Sequence, residues 1–215
     1  MERAEVITGL FAEYDAFAEL ISRLSPDAWR TPTRCEGWQV RDVAGHVVGV
    51  AVDVASGKVG SRTPDEQARA LRDEAPAELA GRLGAAAERV HPFFAGLSED
   101  AWAGPSPVAG RSLGNAIQTL WYDTYLHADD IRTALGWPAE RGAGLVASVH
   151  WAWNELERLG WGPARIVLDG AGERSIGAGG PVLRGDPLRF LLAATGRTDP
   201  AEFGVDESLN IYSLR

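Results

Sequence analysis

Asp123 and His127 stand four residues apart in the string Gln118-Thr-Leu-Trp-Tyr-Asp123-Thr-Tyr-Leu-His127-Ala-Asp-Asp130. On a helix that spacing puts a carboxylate and an imidazole on one face. Asp130, three residues further, falls near the same face. A second imidazole, His46, sits in an apolar stretch with Asp42 one turn before it. If the two helices are neighbours in a bundle, His46, Asp123 and His127 converge in its core, the way bundle proteins build metal sites. Two imidazoles and one carboxylate suit zinc with an open fourth position, and also divalent non-haem iron or nickel. Asp42 and Asp130 are then candidates to fix the histidine tautomers from behind.

The same residues also have a structural reading. An Asp-x-x-x-His pair is common on exposed helix faces, and an Asp one turn before a His is often a surface pair worth a few tenths of a kcal/mol, roughly. A lone histidine among apolar residues is often a hydrogen-bonded core side chain. His91 and His150 have no carboxylate at a telling spacing and read as structural. Cys35 has no identifiable base to make it a nucleophile and reads as a partly buried thiol.

The elements that must position these groups follow from periodicity. Leu10, Phe11, Tyr14, Phe17 and Ile21 recur at helical spacing, predicting a helix over about 3–24. Thr31 to Trp38 is an irregular loop. Val43, Val47, Val50 and Val54 form the stripe of a helix over 40–56, and Gly57 to Pro64 reads as a loop. A helix over 76–97 and one over 113–135 follow, the latter stopped by Gly136-Trp-Pro138. A fifth runs over about 145–159. The pattern then changes to short β-branched runs, 164–169, 173–178 and 182–184, and a helix over 187–195 capped by Asp186. The composition shift predicts a helical domain over 1–160 and a small α+β domain over 161–215. No internal repeat stands out.

Composition narrows the function classes. The chain has 215 residues and a formal charge of −9, which disfavours nucleic acid and anionic membranes as partners. The single Cys35 allows no internal disulfide. No run approaches the roughly 18 apolar residues of a membrane span, and the acidic N-terminal stretch is unlike a signal peptide. The expectation is a cytoplasmic protein. The eight tryptophans read first as core anchors. Trp151 and Trp153 fit either helix packing or the interface of a homodimer.

Two segments carry a family resemblance. Thr33-Arg-Cys-Glu-Gly-Trp-Gln-Val-Arg-Asp-Val-Ala-Gly-His46 and the stretch Trp121 to Gly136 are similar to the two metal segments of the mycothiol-dependent maleylpyruvate isomerase family. Pro181 to Arg197 resembles that family's small C-terminal domain. The resemblance implies a DinB-like metal-binding four-helix bundle with an additional helix and a small α+β C-terminal domain. It implies zinc ligands at His46, Asp123 and His127, with Asp123 standing where the family pattern has glutamate, one methylene longer. It implies mycothiol as thiol cosubstrate, and a C-terminal arginine in the active site: Arg197, with Arg184 and Arg189 as rivals.

The function expected on that basis is a metal-dependent, thiol-dependent S-transferase or cis–trans isomerase acting on a small electrophile. A bound thiol is deprotonated by the ion and becomes a nucleophile at neutral pH, and a tail arginine clamps a substrate carboxylate bidentately. The alternatives are a hydrolase in which a metal-activated water attacks and a non-catalytic binding module on the same bundle.

Overall fold

The computed structural model describes residues 1–213. The chain divides into two compact units, Met1–Glu140 and Arg141–Arg215. The first holds α1 (Arg3–Ser22), α2 (Val40–Ala55), α3 (Pro64–Leu71), α4 (Pro76–Ala95), α5 (Glu99–Ala103) and α6 (Leu113–Ala134). Several start where a side chain accepts from the free backbone N–H groups. Thr63 accepts from Glu66 N–H at 3.2 Å, and Glu66 accepts in turn from Thr63 N–H at 2.8 Å, a reciprocal cap ahead of α3. Ser112 caps α6 by accepting from Asn115 N–H at 3.1 Å. The predicted stop of α6 holds: Gly136 takes φ +68°, and Trp137 N–H reaches back to Arg132 O at 2.8 Å.

α1, α2, α4 and α6 form the bundle. α1 packs on α4 and α6, and α2 packs on the same two. Leu10, Ile21, Val43, Leu79, Leu83, Ile117 and Ile131 are fully buried between them, each contributing about 1.5–3 kcal/mol of transfer free energy. Gly9 permits a close approach: the Trp121 ring lies where a Cβ on Gly9 would be, 2.0 Å from the nearest ring atom. The indole N–H donates to Glu13 at 3.2 Å, and burial raises the Glu13 carboxyl despite that hydrogen bond.

The bundle contains an internal duplication, contrary to the expectation of no repeat. α1 and α4 are each 20 residues long. Leu24-Ser-Pro-Asp-Ala-Trp29 follows the first as Leu97-Ser-Glu-Asp-Ala-Trp102 follows the second. Then Pro32 bridges Gln39 as Pro105 bridges Ser112, each pair antiparallel and each leading into the next bundle helix. Equivalent helices therefore meet, α1 with α4 and α2 with α6. The residues singled out for metal binding lie on the second equivalent pair.

The structure adds two helices to those predicted. α5 is a single short turn within the second connection. α3 follows the expected 57–64 loop and packs on α2. Its apolar stripe is only Ala68 and Leu71, too short to register as periodicity.

The second unit consists of α7 (Ala143–Arg158), β1 (Ala164–Leu168), β2 (Gly172–Ile176), β3 (Val182–Gly185) and α8 (Pro187–Ala194), with short 3-10 turns after α8. β1 is the central strand, antiparallel to β2 and parallel to β3. Ala164, Ile166 and Leu168 point inward, as strand alternation requires. α7 packs on α8, and the boundary expected at 160 would fall inside this unit, after its long helix. Trp151 and Trp153 are both buried here, so packing accounts for them. No helix among the described residues is long and apolar enough to cross a membrane.

Candidate metal centre

α2 and α6 face each other, and His46 from the first meets Asp123 and His127 from the second. The Asp123 carboxylate lies between the two rings: Oδ2 is 3.4 Å from His46 Nε2, and Oδ1 is 3.6 Å from His127 Nε2. One donor atom from each residue lies within 4.8 Å of the others. Ligands about 2.0–2.2 Å from a tetrahedral ion sit about 3.3–3.6 Å apart; each contact has that length, though the two run to different oxygens of Asp123. The Asp123 carboxylate thus places one oxygen beside each imidazole.

The electrostatics also fit a cation. Burial disfavours a charged imidazole at His46, but the Asp123 carboxylate, with Gln67 and Asp65 adding, outweighs it and holds the ring above its usual range. Tyr14, from α1, is pushed well above the ordinary phenol range by burial first and by the Asp123 charge second. It stays a neutral hydroxyl at physiological pH.

The far side of each ring is also held. His127 Nδ1 is 2.9 Å from Asp130 Oδ2. Asp130 is fully buried and also accepts from Arg34 Nε at 2.5 Å and from the Cys35 thiol at 3.2 Å. Arg34 reaches Asp129 at 2.5 Å as well, so one guanidinium ties two adjacent carboxylates of α6 to the loop before α2. Both neighbours of the ring are carboxylates and only accept, but Asp130 is at hydrogen-bond distance, 2.9 Å against 3.6 Å for Asp123, so in the neutral ring Nδ1 of His127 carries the proton and Nε2 lies towards Asp123.

Asp42 does not play the part expected of it. Its Oδ2 accepts from Gln39 N–H at 2.9 Å, capping the start of α2, and its Oδ1 pairs with Arg72 at 3.3 Å. A carboxylate in the first turn has unsatisfied helix N–H groups within easier reach than a ring one turn on. The partner of His46 Nδ1 is Gln67 Oε1 from α3, at 2.9 Å.

Sequence reasoning missed Arg34, Gln67, Asp53 and Arg62 as members of this cluster. The one local signal was the Thr63-Pro-Asp-Glu66 start of α3, which would have placed Gln67 on a helix. Cys35, read as a partly buried thiol, is half-buried and within reach of His127 and Asp130. Trp38 covers the histidines, its ring centroid 5.3 Å from that of His46 and 6.2 Å from that of His127. Its indole N–H donates to Asp65 at 2.9 Å. Trp38 also lines a polar cleft of about 290 Å³ with Asp42, Asp65, Arg69 and Arg72.

Arg197 belongs to the second unit, in the turn that ends α8; its N–H donates to Leu192 O at 2.8 Å and its side chain is half-buried. Arg189 pairs with Glu202 at 2.5 Å, and Arg184 lies on β3. His91 packs edge-on against Phe11, and His150 stacks on Trp153; both fit the structural reading.

Residues 10–132 match the family described as mycothiol maleylpyruvate isomerase N-terminal domain. Among solved structures, the crystal structure of the mycothiol-dependent maleylpyruvate isomerase is similar over 92% of this chain and 90% of that one, at 18% identity and a TM-score of 0.68. A histidine-to-alanine variant of that enzyme gives a TM-score of 0.67 at the same identity and coverage. No curated protein matches.

Proposed function

The chain belongs to the mycothiol maleylpyruvate isomerase N-terminal domain family, and from that membership we propose a thiol-dependent isomerase or S-transferase acting on a small electrophile. In this reading His46, Asp123 and His127 hold a divalent ion, zinc first. Mycothiol, named for the structural relatives, is the thiol cosubstrate. The observation that carries the reading is the convergence of two outward-backed imidazoles on one carboxylate between α2 and α6.

When bound, a divalent ion at this point lowers the pKa of a thiol placed beside it. The chain's own residues do the rest. Asp130 keeps the proton of His127 on Nδ1 and the ring fixed. Trp38 and the walls of α2 and α6 shield His46 and His127 from bulk water, which strengthens the electrostatic contacts there. We assign the polar body of the cosubstrate to the cleft beside Trp38, where Arg69, Arg72, Asp42 and Asp65 offer hydrogen bonds. Arg197 is assigned to a substrate carboxylate, as a planar fork suited to bidentate pairing.

The reaction is an addition and an elimination. The thiolate forms a C–S bond to one carbon of a double bond conjugated to a carbonyl, and the π pair moves onto the carbonyl oxygen. The former double bond is now single and rotates. Collapse of the enolate expels the thiolate and restores the double bond in the trans geometry. If a proton reaches the enolate carbon first, the thioether stays, and the outcome is S-transfer.

The test is to supply purified protein with a cis-configured activated alkene diacid and follow its ultraviolet absorption. Isomerisation that requires added mycothiol supports the proposal. Turnover independent of any thiol would contradict it and favour attack by water.

A further inference from the structure

Beyond the ligands themselves, we propose that Gln67 is a positioning residue that fixes the tautomer of His46, and that Asp53 and Arg62 dictate which way Gln67 points. The positioning role rests on geometry alone; its consequence for an ion rests on the metal reading above.

The direction of each bond in this chain is forced. Arg62 donates from Nε and Nη2 to the Asp53 carboxylate, the closest contact being 2.6 Å. Asp53 is buried and as a carboxylate only accepts. The Gln67 side-chain nitrogen lies 2.8 Å from Asp53 Oδ2, so the amide must present its NH2 group there. That leaves Gln67 Oε1, an acceptor, facing His46 Nδ1 at 2.9 Å. For this contact to be a hydrogen bond, the His46 proton must sit on Nδ1. In the neutral ring the lone pair of Nε2 then lies on the side of Asp123, 3.4 Å away. An amide is ordinarily ambiguous between its two orientations; the charge of Asp53 removes the ambiguity.

Gln67 is buried on a short helix, and its place depends on a close approach. A Cβ on Gly49 would lie 2.8 Å from Gln67 Cβ, so only glycine lets α3 settle against α2 at this depth. His127 is oriented by an anion, Asp130, whereas His46 is oriented by a neutral amide polarised by an anion one step further away. Both imidazoles are thereby set with Nε2 inward, by different means.

The experiment compares the full chain with Gln67→Met, which keeps length and burial but offers no hydrogen-bond acceptor of comparable strength. Nitrogen-15 imidazole spectra are recorded on metal-free protein, well above the imidazole pKa range. In the native protein His46 shows the Nδ1–H form. In Gln67→Met it shifts towards Nε2–H, donating to Asp123, while His127 keeps its Nδ1–H form as an internal control. Zinc affinity of the variant, measured by chelator competition, falls about 10–100-fold. Asp53→Asn gives a smaller shift in the same direction, because an asparagine can face Gln67 with either end. An unchanged His46 spectrum in Gln67→Met overturns the proposal, as does a native His46 in the Nε2–H form. A tautomer shift in a protein that binds zinc in neither form keeps the positioning role and discards the metal centre.

Discussion

Replacing Asp130 by alanine removes the acceptor on which three donors converge. Arg34 Nε, His127 Nδ1 and the Cys35 thiol lie 2.5, 2.9 and 3.2 Å from its carboxylate, and the residue is fully buried. Breaking a buried ion pair from one side costs about 3–5 kcal/mol, because the remaining charge is left without compensation. Arg34 keeps its second carboxylate, Asp129, so the lower end applies, about 3 kcal/mol. At roughly 2–4 °C per kcal/mol for a domain of this size, the unfolding midpoint falls by roughly 6–12 °C. The assay is thermal unfolding of the metal-free protein followed by tryptophan fluorescence. Asp130→Asn, which keeps the shape and one acceptor but not the charge, should fall between the two. A drop under about 2 °C for Asp130→Ala would refute the reasoning, since a buried anion with three donors cannot be that cheap to remove.

Gly49→Ala drives a methyl to 2.8 Å from Gln67 Cβ; the overpacking exceeds the helix-propensity gain, for a net loss of about 1 kcal/mol in urea unfolding, and a variant more stable than native would contradict the close-approach argument. In the second unit Asp186 caps α8 through Leu188 and Arg189 N–H, both at 3.0 Å, and pairs with Arg141 at 2.6 Å. Burial raises its pKa, but the Arg141 bond and the cap bonds outweigh it and hold the carboxyl below its usual range. Its contribution is therefore complete above the unfolded carboxyl pKa of about 3.9 and is lost as pH falls through the lower folded value. Asp186→Ala should cost about 1 kcal/mol at neutral pH, a difference that shrinks in acid; a cost that grows below pH of about 4 would reverse the sign of the argument. Arg197→Ala should raise KM for acidic electrophiles more than for neutral ones; equal effects would make Arg197 structural.

The convergence of His46, Asp123 and His127 was legible because its signals are local. Asp123 and His127 share a face of one long periodic helix, and the Gly136-Trp-Pro138 stop fixed where that helix ends. The apolar stripe around His46 placed it on the inner face of α2. What escaped is short or nonlocal. α3 has eight residues, about two turns, with only Ala68 and Leu71 as an apolar stripe, and without it Gln67 could not be seen as the partner of His46. Asp42 sits at the right helical spacing from His46, yet its position in the first turn gave it to the backbone instead. Arg34 reaches α6 from a distant loop, which no spacing rule predicts. The duplication was hidden because its identities cluster in the connections, Leu24 to Trp29 against Leu97 to Trp102, while α1 and α4 share length but little sequence. The change of character near residue 160 was real, but α7 is amphipathic like the bundle helices, and nothing in its sequence says that it packs on α8.

The central claim is that His46, Asp123 and His127 hold a divalent ion, and metal content tests it most directly. Protein purified without an affinity tag is analysed by plasma mass spectrometry beside His46→Ala and His127→Ala. The account predicts about one divalent ion per chain in the native protein and loss of it in both variants. A native protein that takes up no ion even after incubation with zinc, or a variant that keeps full occupancy, would contradict it.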